Sequence, residues 1–354
     1  MARIAVVLFN LGGPDGPEAV QPFLFNLFND PFIMRQPNPI RWLLAKLISS
    51  RRAPVAREIY AQIGGRSPIF EETQKQADAL AAALAAAPED DDEFRVFIAM
   101  RYWKPFAEEC AAEVKSYDPD RIVLMPLYPQ FSTTTTQSFL SVWGSVAQKT
   151  GLEKPTASLC CYPEEIGFTG AVAALTRTQI DAAGDVASLR ILFSAHGLPK
   201  KFVAAGDPYQ AQVEMTVAAI LEKLAMPDLD HIICYQSRVG PIEWLRPYTD
   251  DEIRRAGREG KSVIVVPVAF VSEHSETLVE LDLEYEKLAR ESGVTSYHRV
   301  PTVGTHPEFI EGLARLVHLA QFTGIGSSIG DRQCPGECGA CPIESGLKSG
   351  GGAA

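Results

Sequence analysis

Residues 263–276 read VIVVPVAFVSEHSE. A strand with one wet face would alternate apolar and polar residues. From Val263 to Phe270 this run is short and apolar without interruption, the pattern of a parallel strand buried on both faces. It ends in His274 flanked by Glu273 and Glu276. A second short apolar run, ILFSAHG (191–197), also ends in a histidine, His196. In open α/β sheets the ligand crevice lies beyond the carboxyl ends of the strands. His196, His274, Glu276 and the next acid, Glu280, are therefore expected to converge on one ligand.

Outward from these two runs, further strand-like segments lie at 4–9, 94–99, 122–125 and 231–235. Helical patterns fall between them at 67–87, 105–117, 135–149, 208–225, 275–291 and 307–322, often opened by Ser, Thr, Asp or Pro. This alternation predicts an α/β chain of βαβ units with parallel sheets. A chain of 354 residues exceeds what one core usually serves, so two similar halves are expected, joined within 151–190. We place an N-terminal domain at 1–160 with a hydrophobic lip at 22–52, a second domain at 161–325, and an extension with a flexible tail at 326–354. Glu89–Glu93 reads as a solvated acidic loop and SGGGAA as an unstructured end.

The formal charge of -11 and pI near 5.1 disfavour nucleic acid, and no basic stripe with interleaved aromatics offsets them. MARIAVVLFN has too short an apolar stretch for a secretory signal and reads as the first strand. No run reaches the ~18 apolar residues needed to span a bilayer. A cytoplasmic chain is expected, with peripheral contact to the inner face of a membrane left open. The segment for such contact is 22–48, PFLFNLFNDPFIMRQPNPIRWLLAKLI, dense in Phe, Leu, Ile and Trp and followed by Arg51 and Arg52. Pro31, Pro37 and Pro39 prevent it from being one helix, and inter-domain packing is the plainer reading.

Other motifs narrow the chemistry. FNLGGPDG (9–16) lacks the G-x-G-x-x-G spacing of a dinucleotide site. Ser194 is too near His196, without a G-x-S-x-G elbow, for a hydrolase triad. Glu273, Glu276, Glu280 and Glu284 recur every three or four residues and form an acidic stripe on a helix. Such a stripe is often a solvated face, yet this one begins at a buried strand's end. There, carboxylates and imidazoles held together bind cations or accept protons. In QSRVGPIEWLRPYTDD (236–251), Trp244 either stacks on a flat ligand or packs in a core. CPGECGACP (334–342) sets Cys334, Cys338 and Cys341 at C-x3-C-x2-C, close enough to wrap a metal centre that needs a fourth donor, with Cys160 or Cys161 available. Radical enzymes that use S-adenosylmethionine share the spacing, but a barrel must follow it and only a short tail follows here.

In order, FNLGGP, SRRAP, GGRSPI, AMRYWKP, YPQFSTTTT, SAHGLP, QSRVGPIEWL and SEHSETLVELD resemble the ferrochelatase family. The resemblance implies two similar Rossmann-like domains with a porphyrin cleft between them, and insertion of Fe(II) into protoporphyrin IX to give protohaem. It implies that His196 and Glu276 contact iron and the pyrrole protons, with His274 and Glu280 behind them and Glu280 as an onward carrier. It places Arg51, Arg52 and Ser67 at the propionates and Leu11, Tyr102 and Trp244 in the cleft wall. The tail resembles those of relatives that carry a [2Fe-2S] cluster. Because Thr133 stands where the animal enzymes have a Cys, the fourth ligand is expected from Cys160, with Cys161 as the alternative. Glu273 stands where many relatives have Asp. A cobalt or sirohydrochlorin chelatase, or a porphyrin carrier that binds without metallating, stays open as an alternative. So do protoporphyrin against coproporphyrin, iron entry against proton exit along the stripe, and the oligomeric state.

Overall fold

In this computed structural model, residues 2–86, 92–320 and 323–345 are described. The core of the acidic run, 89–91, and the SGGGAA end lie outside them. In chain order the elements are β1 (Arg3–Asn10), α1 (Val20–Phe28), α2 (Ile40–Ala61), α3 (Ile69–Ala85), β2 (Glu93–Met100), α4 (Ala107–Tyr117), β3 (Arg121–Pro126), α5 (Thr136–Thr150) and β4 (Thr156–Leu159). Then follow α6 (Ile166–Ala183), β5 (Leu189–His196), α7 (Lys200–Ala204), α8 (Tyr209–Leu224), β6 (His231–Gln236), α9 (Thr249–Arg258) and β7 (Ser262–Pro267). A π-helix (Glu276–Tyr285) runs into α10 (Glu286–Glu291), and β8 (Tyr297–Arg299), α11 (Pro307–Leu319), β9 (Gly324–Gly326) and α12 (Pro342–Ser345) complete the chain.

These elements form two compact units. The first comprises Met1–Tyr162, Leu313–Gln333 and the segment from Gly339 onward; the second comprises Pro163–Gly312 and Cys334–Cys338. The first unit holds a sheet of order β2-β1-β3-β4-β9 and the second a sheet of order β6-β5-β7-β8, all pairs parallel. Both are doubly wound α/β sheets. In each, the chain begins on an inner strand, steps to one side, then crosses to the other. The order reverses at β1/β3 in one and at β5/β7 in the other, the switch points where such sheets bind ligands.

The strands are buried on both faces, as their unbroken apolar runs require: from Ile4 to Asn10 every residue of β1 is buried, and all of β7 is. On one side of the first sheet Phe9 stacks on Phe139 at 4.0 Å between centroids, beside Phe97, Val114 and Trp143. The second unit packs Leu192, Val263 and Val265 against Ile253, Leu281 and Ala289. Each of the Val, Leu, Ile and Phe side chains contributes about 1.5–3 kcal/mol by leaving water, well above what an exposed ion pair supplies. The greasy segment breaks where its prolines fall, into α1 and α2, and residues 29–39 join the two.

Candidate functional site

The second unit gathers the predicted reactive residues at its switch point. His196 is the last residue of β5, and the loop after β7 delivers His274 and then the π-helix. His196 Nδ1 lies 3.0 Å from Glu276 Oε2, and His274 Nε2 lies 3.4 Å from the same oxygen. His274 Nδ1 donates to the Ser272 carbonyl at 3.0 Å, which orients the ring. Phe270 sets its ring edgewise to both imidazoles, with centroids 6.4 Å from His196 and 4.6 Å from His274. His196 and Glu276 keep 39% and 31% of their side chains exposed, whereas His274 keeps 9%. The first two are therefore reachable by a ligand and the third supports them.

Charge follows this geometry. Burial opposes the His196 imidazolium, but the charge and hydrogen bond of Glu276, with Glu280 beyond, outweigh it and hold the ring's pKa above its ordinary value. Burial likewise opposes the Glu276 carboxylate, yet His196 and His274 hold it well below the usual carboxylate range. Glu280 moves the other way: burial and the neighbouring Glu276 raise it, against the donors that surround it. Those donors are Ser237 N at 2.8 Å, Gln236 Nε2 at 3.0 Å, Tyr285 Oη at 3.0 Å, and Ser237 Oγ in a short bond. Gln236 Nε2 also reaches the Glu276 carbonyl, and Ser194 Oγ donates to Gln236 Oε1, so the C-terminal ends of β5 and β6 brace the π-helix.

The four expected acids do not all share one face. Glu276 and Glu280 face the hydrogen-bonded interior and Glu284 is exposed, while Glu273 turns away to Arg299. Glu273 lies in the loop before the π-helix, where Arg299 holds it; within the helix the wider turn, in which residues five apart stack, puts Tyr285 under Glu280. Gln236, Ser237 and Arg299 were not singled out from sequence. The first two open the quoted loop QSRVGPIEWL, but Arg299 comes from a three-residue strand far along the chain, without a local signal.

Trp244 packs against Gly197, the residue after His196. A Cβ on Gly197 would sit 3.2 Å from the indole and 2.8 Å from the Gln236 carbonyl, so glycine lets the ring approach. The indole Nε1 donates to the Val239 carbonyl at 3.1 Å.

The first unit carries the remaining candidates. Leu11 follows β1 and accepts from Tyr102 N at 2.9 Å. Tyr102 itself is 1% exposed, its hydroxyl donating to Asp30 at 2.6 Å in a network with Arg101 and Ser138. Ser67 is buried against Gly13, where a Cβ would come within 2.5 Å of its hydroxyl. Arg51 and Arg52 are exposed on α2, Arg52 lying over the Phe28 ring at 5.7 Å. Nearby on the same helix Ile40, Trp42, Leu43, Leu47 and Val55 are exposed as well.

All seven cysteines are buried. Cys160 and Cys161 place their sulfurs 3.4 Å apart beside Phe131, Ile325 and Ile343, and Gln212 Nε2 donates to Cys334 Sγ at 3.1 Å. Buried sulfurs suit a soft metal centre in donor type. Among the described residues, however, no group of three or more His, Cys, Asp or Glu side chains is gathered to hold a metal ion.

Residues 3–321 match the sequence model of the ferrochelatase family. The chain is 52% identical to the ferrochelatase of Caulobacter vibrioides over 98% of its own length and 99% of that protein's. It is 52% identical to that of Phenylobacterium zucineum, covering 97% and 99%, and 48% identical to that of Rickettsia bellii, covering 96% and 94%. Among solved structures, SirB from Bacillus subtilis with Fe3+ superposes with a TM-score of 0.52 at 13% identity, covering 91% of this chain and 99% of that one. The sirohydrochlorin chelatase SirB from Bacillus subtilis subspecies spizizenii, in complex with cobalt, gives 0.50 at 12%, covering 90% and 95%. At such identities these two speak to the fold alone. The family match over residues 3–321 and the close, nearly full-length relatives carry the conclusion that this chain belongs to the ferrochelatase family.

Proposed function

We propose that His196 and Glu276 are the reacting pair of a chelatase that inserts Fe(II) into protoporphyrin, the terminal step of haem biosynthesis. The observation that carries the assignment is the 3.0 Å contact of His196 Nδ1 with Glu276 Oε2 at the β5/β7 switch point, both side chains still open to a ligand. With Nδ1–H held by the carboxylate, the neutral ring keeps its lone pair on Nε2. Metallation releases two pyrrole protons; that nitrogen accepts them in turn, handing the first on before it takes the second, and Glu276 stabilises the imidazolium that forms each time. The apolar and aromatic surroundings, Phe270 and Trp244, hold the macrocycle bent so that its nitrogen lone pairs tilt toward the metal, a use of remote binding energy. Protons leave through Glu280, the acid whose pKa is raised, toward the exposed Glu284; both line a cavity of about 270 Å³ with Ser237 and Arg238.

Arg51 and Arg52 take the propionates by charge-assisted hydrogen bonds, with Ser67 as a further donor and Leu11 as an apolar wall. Tyr102 acts from behind, since its hydroxyl is spent on Asp30 and its backbone N–H holds Leu11. The exposed apolar side chains of α2 give segment 22–48 a peripheral membrane contact. No helix among the described residues is long and apolar enough to cross a membrane. Cys334, Cys338 and Cys341 with Cys160, or Cys161 in its place, hold a [2Fe-2S] cluster; the motif's spacing, the burial of its sulfurs and the Gln212 amide aimed at Cys334 support this. When bound, such a cluster supplies one-electron redox chemistry, and no step of iron insertion above passes through it.

The test is iron insertion by His196→Ala. Incubated with Fe(II) and protoporphyrin, the variant should lose turnover by at least about 100-fold while its circular dichroism stays native. A folded variant with near wild-type turnover would remove His196 from the centre.

A further inference from the structure

We propose that Arg299 is a positioning residue for metal insertion, its guanidinium strapping together the two ends of the segment that carries His274, Glu276 and Glu280. The inference rests on the assignment of His196 and Glu276 as the reacting pair. Arg299 closes β8, where it pairs with Val265 of β7, and Val300 N binds the Val265 carbonyl at 2.9 Å, so its backbone is fixed by the sheet. From there Nη1 donates to Glu273 Oε1 at 2.5 Å, directly before His274. Nε and Nη2 donate to the two oxygens of Asp282 at 2.7 and 2.5 Å, two residues past Glu280. Thr302 N donates to the same Glu273 oxygen at 2.9 Å. The Arg299 side chain is 11% exposed, so these bonds are little screened.

A second side chain of the same short strand does related work. Tyr297 Oη donates to the Leu281 carbonyl at 2.8 Å. A π-helix is uncommon because its wide turn packs poorly on itself, so it persists where the surroundings hold it. Here β8 holds it from one side while Gln236 and Ser237 hold it from the other. The consequence is catalytic. If Asp282 and Glu273 drift apart, the π turn relaxes, and Glu276 Oε2 leaves the position that serves both His196 and His274. A shift of about an ångström is enough to cost a reaction roughly 100-fold.

Arg299→Lys keeps the charge but removes the planar fork that grips two carboxylates. We expect kcat to fall about 10- to 100-fold and KM for Fe(II) to rise, with KM for porphyrin unchanged. Arg190→Lys is the control. Arg190 is an equally buried fork, on Asp230 and Glu259, at the opposite end of β5 from His196. It should lower the melting temperature without moving either KM. Asp282→Asn opens the strap from the π-helix side and is read in the same way, and the Arg299→Lys/Asp282→Asn double variant should be no worse than the poorer single one. Wild-type kinetics in a folded Arg299→Lys overturn the strap. So does a loss that tracks the folded fraction, as in the control. His196→Ala is assayed alongside: if it retains turnover, the site assignment fails, whereas an inactive His196→Ala beside a normal Arg299→Lys condemns the strap alone.

Discussion

His196 and Glu276 hold their shared proton by opposite shifts, the ring's pKa up and the carboxyl's down. A proton acceptor works only when deprotonated, so activity is lost as pH falls through the pKa of His196. Because that pKa is raised, the acidic limb of kcat/KM should lie above the ordinary histidine value of about 6.5. In Glu276→Gln the attraction disappears and burial becomes the leading influence, which depresses the ring. The limb should then move below about 6.5, together with a lower plateau. A pH–rate profile of the two proteins checks this, and an unmoved limb would mean that His196 is not the titrating base. At this scale the sequence was informative where chemistry is local: His196, His274, Glu276 and Glu280 all follow buried strands. The resemblance puts Tyr102 in the cleft wall, and no local pattern in AMRYWKP announces that its hydroxyl donates to the buried Asp30.

The element that matters most is the π-helix, and its spacing yields a separate test. Tyr285 reaches Glu280 five residues earlier only in the wider turn; α geometry would swing it aside. Tyr285→Phe leaves the carboxylate one donor short, at about 1.5–3 kcal/mol for a hydrogen bond to a charged group. The denaturation midpoint should drop accordingly with an unchanged m-value, and an unshifted midpoint would show that the bond contributes nothing. From sequence the segment reads as an ordinary helix because acids at intervals of three and four satisfy the α period as well. The runs 191–193 and 263–270 declared themselves as strands because burial on both faces excludes polar residues, although β7 ends at Pro267. The edge strands β8 and β9 span three residues each, too few for a period. Helix α9 hides because only Ile253 and Ala256 of its ten residues are buried and apolar.

At the scale of the whole molecule, both sheets follow one winding, and length, alternation and the two histidine-ended runs made that much readable. The return of β9 to the first sheet was not readable: it pairs Gly324–Gly326 with Ala157–Leu159 after the entire second unit has intervened. Truncation after Leu319 should expose the edge of β4 and promote aggregation. Cys338→Ser leaves β9 in place and should cost only the visible iron-sulfur absorption of the purified protein. A colourless wild type containing zinc would count against the cluster, and a soluble, fully stable truncation would count against the role of β9. During synthesis on the ribosome, residues 163–312 emerge as one contiguous piece, the whole of the second unit but for Cys334–Cys338. The opening sheet waits, with a bare hydrogen-bonding flank, until more than three hundred residues have been translated. Until the last strand is delivered, the β4 edge on the nascent chain stays open to wrong partners.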